Sequence, residues 1–427
     1  MLGLQPMIGM LLCSVPIFLG MRELIVRASS LPALLAALLT HPIPALLSIQ
    51  ALYFIFETYL WLRYRPFIAP DDAPLPRLSV IIPAFNEGPM VARSIRSVAR
   101  ADYPQDRFEI LVVDDGSRDD TFFHMEQLRR EFPSLVRLIR FRGNRGKRSA
   151  LHAGFAAATG EIAITIDSDC EMEPDTLRAM AAPFQCDPKI GAVAGRVTVL
   201  NRDKLIGAML DVNYALTFDF GRAAQSGFRA VACCPGALSA LRLEVIRPGL
   251  DGWLNQRFLG RPVNHGEDQA LTNIVLCAGF DTVYQRTAIV RTLAPSTYRQ
   301  LYRMFLRWDR SFIVEGFSFA KFMFKPWRAE RRFEPAVHFV IGNLRLVLLY
   351  LGLAALPALA VAHPRILVPI GVSTFIGGLF TAFYYLRSDR SLRFFYGVLY
   401  TFYWSLLLQW IMPWAIVTIR DERWGTR

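Results

Sequence analysis

Cysteine and histidine, the residues that build disulfide scaffolds and most transition-metal centres, are scarce here: six of each in 427 residues. Cys13, Cys170, Cys186, Cys233, Cys234 and Cys277 include no C-x-x-C pair, and no two histidines stand four apart. Neither a zinc site nor a disulfide framework is indicated, and reduced thiols facing a cytosol are the expectation. Charge is also thin. Only 20% of residues are charged against 53% hydrophobic, with a mean hydropathy of +0.29. Such a chain is too apolar to be disordered or wholly water-soluble, and part of it is expected in lipid. What charge there is leans positive, Lys+Arg 48 against Asp+Glu 36. That balance suits anionic lipid, nucleic acid or phosphorylated substrates alike until the charges are placed.

No base precedes the apolar run 2–20, whereas Arg22 and Arg27 follow it, the reverse of a cleavable signal peptide; a retained segment is expected. A second run, 31–62, carries Glu57 as its only acid and no Lys, Arg or Asp. It exceeds the roughly 20 residues a bilayer needs, and Pro42 and Pro44 are expected to kink it. Three further runs, 336–361, 366–386 and 394–419, are separated by His363-Pro364-Arg365 and by the basic Arg387–Arg393 loop, and each is long enough to span. The positive-inside rule puts that loop in the cytoplasm together with the soluble domain. It accommodates Arg22, Arg27, Arg420, Arg423 and Arg427 only if one run at each end lies in the interface or re-enters, and the sequence leaves open which. Phe312, Phe319, Phe322, Phe324 and Trp327 amid Lys321 and Lys325 make 311–327 an expected interfacial helix.

Between Pro74 and about Glu330, short β-branched runs alternate with helical patterns, which predicts an α/β domain with a mostly parallel sheet. Strands are expected at 78–83, 109–113, 136–141 and 161–166. Acids at the carboxyl ends of such strands are better functional candidates than acids on helix faces. Asp114-Asp115 ends the second strand. The third leads into a basic glycine-bearing turn, Arg142 to Arg148, able to hold phosphate oxygens. The fourth delivers Asp167-Ser168-Asp169, whose alternation sends both carboxylates to one side, where a hard cation can bridge them and a diphosphate. Glu267 and Asp268 open a helix, where a carboxylate can take the proton of an attacking sugar hydroxyl. Arg307-Trp308 sets a cation for diphosphate beside an indole for stacking on a pyranose. Each feature alone has a plain structural reading; their joint order is what points to chemistry.

With these residues in this order the chain resembles the inverting family-two glycosyltransferases, strongly over about 76–320, and within them the membrane-embedded processive branch of hyaluronan, chitin-oligosaccharide and cellulose synthases. The resemblance implies a nucleotide-diphosphosugar-binding domain of the A type flanked by transmembrane helices. It implies that Pro83, Asn86 and Glu87 form the first nucleotide loop and that Asp115 lies near uracil and ribose. Lys147 lies near the nucleotide; Asp167 and Asp169 bind Mg²⁺ or Mn²⁺; Asp268, preceded by Glu267, is the general base. Arg307 and Trp308 close the Q-x-x-R-W motif, although the Gln position holds Met304 and Gln300 lies one turn earlier. Ala223-Ala224-Gln225-Ser226 and Cys233-Cys234-Pro235-Gly236 look like the corresponding stretches of hyaluronan and chitin-oligosaccharide synthases rather than cellulose synthases, and the tail 418–427 resembles the hyaluronan synthase ending most closely. That resemblance of the tail implies that Trp424 and Arg427 fold over the diphosphate.

The implied boundaries are 1–73 for N-terminal membrane segments, 74–297 for the catalytic domain, 298–334 for interfacial helices, 335–419 for membrane helices and 420–427 for a cytoplasmic tail. The implied partners are a UDP-sugar, a growing polysaccharide and the lipid bilayer, with no nucleic acid. The implied place is the plasma (inner) membrane with the catalytic domain in the cytoplasm. A transferase adding one sugar to a lipid acceptor is the alternative activity. A transporter that senses nucleotide sugars is a third reading, for which Glu57 and Arg345 are the intramembrane charges.

Overall fold

The computed structural model describes residues 42–328, 330, 333–389 and 391–420. Four parallel strands, β1 (Leu78–Ala84), β2 (Phe108–Asp114), β3 (Val136–Arg140) and β4 (Ile162–Thr165), lie where the apolar runs place them. β1 is buried along its whole length because helices cover both faces. Val80 and Ile82 pack with Val91, Ile95 and Val98 of helix α2 (Met90–Ala99) and Met125 and Leu128 of α3 (Thr121–Glu131). Ile81, one residue out of phase, packs with Leu151 and Phe155 of α4 (Lys147–Ala157).

The sheet is completed by β5 (Cys170–Met172), β6 (Ile190–Val199), β7 (Ser239–Arg242) and, after a small hairpin of β8 (Arg257–Phe258) and β9 (Arg261–Pro262), by β10 (Asp281–Thr292). Its order is β3-β2-β1-β4-β7-β6-β10-β5, with β7 antiparallel to β4 and β6, and β5 antiparallel to β10. The chain leaves β1 toward β2 on one side and returns as β4 on the other. That reversal opens a crevice at the carboxyl ends of the strands, and ligands in open α/β sheets bind in such crevices.

Helix α1 is described over Pro42–Arg63, with Pro42 and Pro44 among its first described residues. α5 (Thr176–Cys186) covers the sheet, and α6 (Leu205–Tyr214) runs through a π-turn, Ala215–Phe220, into a last helical turn, Gly221–Ser226. α7 (Glu267–Cys277) precedes β10, and α8 (Tyr298–Ala320) follows it. The expected interfacial helix at 311–327 is thus half of a longer helix that ends at Ala320 and half the turns beyond it.

Two stretches among the described residues are long and apolar enough to cross a membrane, Phe333–Ala362 and Pro364–Arg387. The first is α9 (Phe333–Ala362), and the second covers all but the last two residues of α10 (Leu367–Asp389). Val337, Val340, Leu344, Val347 and Leu351 form an exposed stripe at helical spacing along α9, a surface suited to lipid. The run 394–419 is helical with a π-turn inside it, its backbone staying right-handed at Trp404, Gln409 and Trp410. α11 (Tyr396–Tyr403) passes through a π-turn, Trp404–Leu408, to the short α12 (Ile411–Val417). Buried carboxylates tie the membrane helices to the α/β domain. Asp219 accepts from Tyr384 Oη at 2.7 Å, Tyr284 Oη at 3.0 Å and Arg286 Nε at 2.6 Å, and Asp211 accepts from Tyr385 Oη at 2.5 Å.

Candidate active site

The crevice is framed by loops pinned to one another through backbone amides. Pro83 sits within β1 opposite Val113. Beyond it Asn86 takes a left-handed φ of 53°, its N–H donating to Ser117 Oγ and its side-chain oxygen accepting from Arg118 N. The N–H groups of Glu87 and Gly88 both donate to Thr121 Oγ1 at 2.8 Å. Asp115, buried at the end of β2, accepts from the amides of Arg145 at 2.7 Å and Gly146 at 2.8 Å. Burial pushes its carboxyl up, with the two amides pulling the other way. Asp115 therefore fixes the basic turn and launches α4 with Lys147 as its first residue.

Lys147 is the hub. Its Nζ lies 2.6 Å from Asp167 Oδ1 and 3.0 Å from Glu267 Oε1. Burial alone lowers a lysine, but these two carboxylates hold the ammonium well above its ordinary value. Glu267 feels the reverse: burial raises its carboxyl, and Lys147 more than offsets this and holds it low. Asp268 is pushed up, first by burial and then by the Glu267 charge. Its Oδ2 accepts from Gly236 N at 3.1 Å and from Cys233 Sγ at 3.6 Å, and its Oδ1 accepts from Gln269 N at 2.8 Å.

Gly236 shows how tightly these groups meet. A Cβ added there lies 3.1 Å from Lys147 Nζ, 3.8 Å from Asp167 Oδ1 and 4.0 Å from Asp268 Cβ. Residues distant in sequence thus surround one backbone point. Asp169 belongs to the same place, since Asp167, Asp169 and Cys170 each bring a donor atom within 4.8 Å of the other two. The two aspartates meet because a turn joins β4 to β5, not because they alternate along an extended strand. A pair of carboxylates suits a hard divalent cation, so the donor set fits the Mg²⁺ or Mn²⁺ expected there.

α8 supplies the remaining wall. Gly266, at a φ of 72°, is crossed by Ser311, whose Cβ lies 2.9 Å from where a glycine Cβ would stand, so α8 presses on the start of α7. Arg307, one turn before Ser311, acts electrostatically on Glu267, His265 and Tyr214. Burial and the nearby Arg310 lower His265 to about 4, leaving a neutral ring against the site. Trp308 stands in an aromatic nest, its ring centroid 5.5 Å from Phe305, 5.9 Å from Phe218 and 6.2 Å from Tyr214. Gln300 does not take over the motif position held by Met304: its side chain accepts from Thr297 N in a capping box that starts α8. The Met304 sulfur accepts instead from the buried Tyr214 hydroxyl at 3.8 Å. Trp424 and Arg427 lie outside the described residues.

Sequence reasoning about charges passed over Gly236, Tyr214, Phe218 and Arg222. The nearest signal was the pair of stretches 223–226 and 233–236, the first beginning directly after Arg222 and the second ending in Gly236.

Residues 79–249 match the model of glycosyl transferase family 2. The chain is 33% identical over 363 residues to an N-acetylglucosaminyltransferase of Rhizobium meliloti (strain 1021), covering 84% of this chain and 83% of that one. It is 30% identical over 385 residues to the hyaluronan synthase of Streptococcus pyogenes serotype M1, covering 88% of each. In structure it resembles a mannosyltransferase from Pyrobaculum calidifontis solved with GDP-mannose and Mn²⁺. The TM-score is 0.61 at 23% identity, over 89% of this chain and 99% of that one, a likeness of fold. With relatives this similar along most of its length, the chain belongs to glycosyltransferase family 2.

Proposed function

We propose that this protein is a processive inverting glycosyltransferase that builds a β-linked polysaccharide from UDP-sugars and passes it through its own membrane helices. The observation that carries the reading is the meeting of Lys147, Asp167 and Asp268 around Gly236 at the sheet's crevice. Pro83, Asn86, Glu87 and Asp115 frame the nucleoside, and Lys147 and Arg307 face the diphosphate. Asp167 and Asp169 hold the divalent cation, which when bound neutralises charge growing on the leaving diphosphate. Asp268 accepts the proton of the acceptor hydroxyl as that oxygen attacks the anomeric carbon from the face opposite the diphosphate. The anomeric centre inverts in one displacement, with no covalent enzyme intermediate. Trp308 carries the acceptor ring, and the tail residues Trp424 and Arg427 close over the diphosphate.

A polar line leads from this site into the membrane helices and supports the exit. Ala232 N donates to Gln225 Oε1, Gln225 Nε2 lies 3.4 Å from His338 Nε2, and His338 Nδ1 meets Tyr53 Oη. The Arg345 guanidinium lies over the Tyr53 ring. In lipid such a line is retained for a path rather than for packing. The catalytic domain, residues 74–297, faces the cytoplasm at the plasma membrane.

The test is UDP release by purified protein given UDP-sugars with Mg²⁺ or Mn²⁺. Release accompanied by a long polymer is expected, and Asp268→Asn cuts it about 100-fold or more. A single sugar on an extractable lipid would replace polymerisation by lipid glycosylation. Full activity of the Asn variant would overturn the assignment of the base.

A further inference from the structure

Among the buried charges, Arg222 stands apart. It lies in the helical turn Gly221–Ser226 with a relative exposure of 6%, and its Nη1 is buried without a hydrogen-bond partner. Among the described residues no carboxylate comes within ion-pair distance of it. Arg148 Nε and Arg286 Nη2 are likewise buried without a hydrogen-bond partner, but those side chains are held through their other nitrogens. Lys147 meets Asp167 and Glu267, Arg286 meets Asp219, and Arg148 donates to Gln256 and two carbonyls. A guanidinium taken out of water with an unfilled donor is destabilising unless something else fills it.

Its position says what fills it. The guanidinium carbon lies 4.3 Å from the Phe218 ring centroid, and Phe218 is one wall of the nest that holds Trp308. On the other side its field reaches the thiols of Cys233 and Cys234, and Cys233 touches Asp268. Arg222 thus stands between the stacking platform and the general base, on the acceptor's side of the reaction. Lys147 and Arg307 already serve the side of the diphosphate.

Resting on the glycosyl-transfer reading, we propose that Arg222 binds the acceptor sugar, its free donor taking an sp² oxygen carried by that sugar. Two groups on pyranoses offer such an oxygen, the carboxylate of a uronic acid and the carbonyl of an acetamido group. The aromatic face of Phe218 holds the fork flat, so a planar group meets it edge-on.

The experiment uses the full-length protein in detergent. Wild type is first assayed for UDP release; its complete absence with every UDP-sugar removes the underlying reading and says nothing against Arg222 in particular. With activity in hand, Arg222→Met and Arg222→Lys are compared for melting temperature, for slow UDP release without acceptor, and for acceptor KM. Acceptors are oligosaccharides ending in a uronic acid or in an N-acetylhexosamine. The expected result is an Arg222→Met protein that melts at or above the wild-type temperature and keeps its acceptor-independent release. Its acceptor KM is raised tenfold or more, with Arg222→Lys in between. A rise confined to uronate-ended acceptors identifies the carboxylate, and a rise on acetamido-ended ones identifies the carbonyl. An unchanged acceptor KM overturns the proposal. So does an Arg222→Met protein that fails to fold or melts well below wild type, because Arg222 is then part of the framework.

Discussion

At the residue scale the site is a set of charges that define one another. Asp268 titrates above an ordinary aspartate because it is buried beside the negative Glu267. A base must be ionised to work, so the rate falls as pH drops through the raised Asp268 value. Glu267→Gln removes the repelling charge and lowers that value. The acid limb of the pH–rate profile is expected to move to lower pH in this variant, and a limb that stays or moves up contradicts the assigned pair. Gly236 offers a second test. Gly236→Ala puts a methyl 3.1 Å from the Lys147 ammonium, which has to give by a few tenths of an ångström where it pairs with Asp167. We expect a loss of activity of tenfold or more with a melting temperature within about 4 °C of wild type, a shift of about 1 kcal/mol or less. The acids of this cluster were legible in sequence because each ends a strand or opens a helix. Gly236 was not, since its role is a close approach between segments far apart in the chain. Arg222 hid for a related reason, as nothing in a sequence marks a cation whose partners the fold withholds.

At the element scale, strands were the easiest part to read. Continuous apolar runs marked β1, β2 and β4, because a strand covered on both faces has no polar phase to blur it, while β3 interleaves Val136 and Leu138 with Arg137 and Arg140. Helix limits were harder. Aromatic and basic residues at 311–327 look like one interfacial helix, yet the capping box at Thr297 and Gln300 starts α8 earlier. That cap also explains why Gln300 cannot serve the acceptor, as its side chain is engaged with the backbone it starts. The D-x-D pair was found for a reason the fold does not use, since a turn rather than strand alternation brings Asp167 and Asp169 together. The last apolar run illustrates the limit of composition. It is as apolar as its neighbours, and nothing in its composition marks the π-turn at Trp404–Leu408 that interrupts its regular α-helical hydrogen bonding.

At the scale of the whole molecule, the α/β domain and the membrane helices are joined by buried polar bonds, not by apolar contact alone. Asp219 holds Arg286, Tyr284 and Tyr384 together. Asp219→Ala leaves these three donors buried without their acceptor and is expected to destabilise the protein by about 2–4 kcal/mol. Thermal unfolding in detergent measures this, and a loss under about 1 kcal/mol would show the clamp to be dispensable. None of this clamp was visible in the sequence, where Asp211 and Asp219 lie in an unremarkable helical stretch and Tyr384-Tyr385 in an apolar run.

The two-sided helix from Leu205 to Ser226 has a practical corollary for anyone wishing to cut a water-soluble enzyme out of this chain. One side of it shapes the sugar platform through Phe218 and Arg222, and the other is bolted to α10 through Asp211 and Asp219. Severing the chain at the bilayer surface would strip Asp219 of the Tyr384 phenol and Asp211 of the Tyr385 phenol and unmoor the platform from behind. A soluble fragment has to be re-engineered at those two positions before its kinetics can speak for the parent.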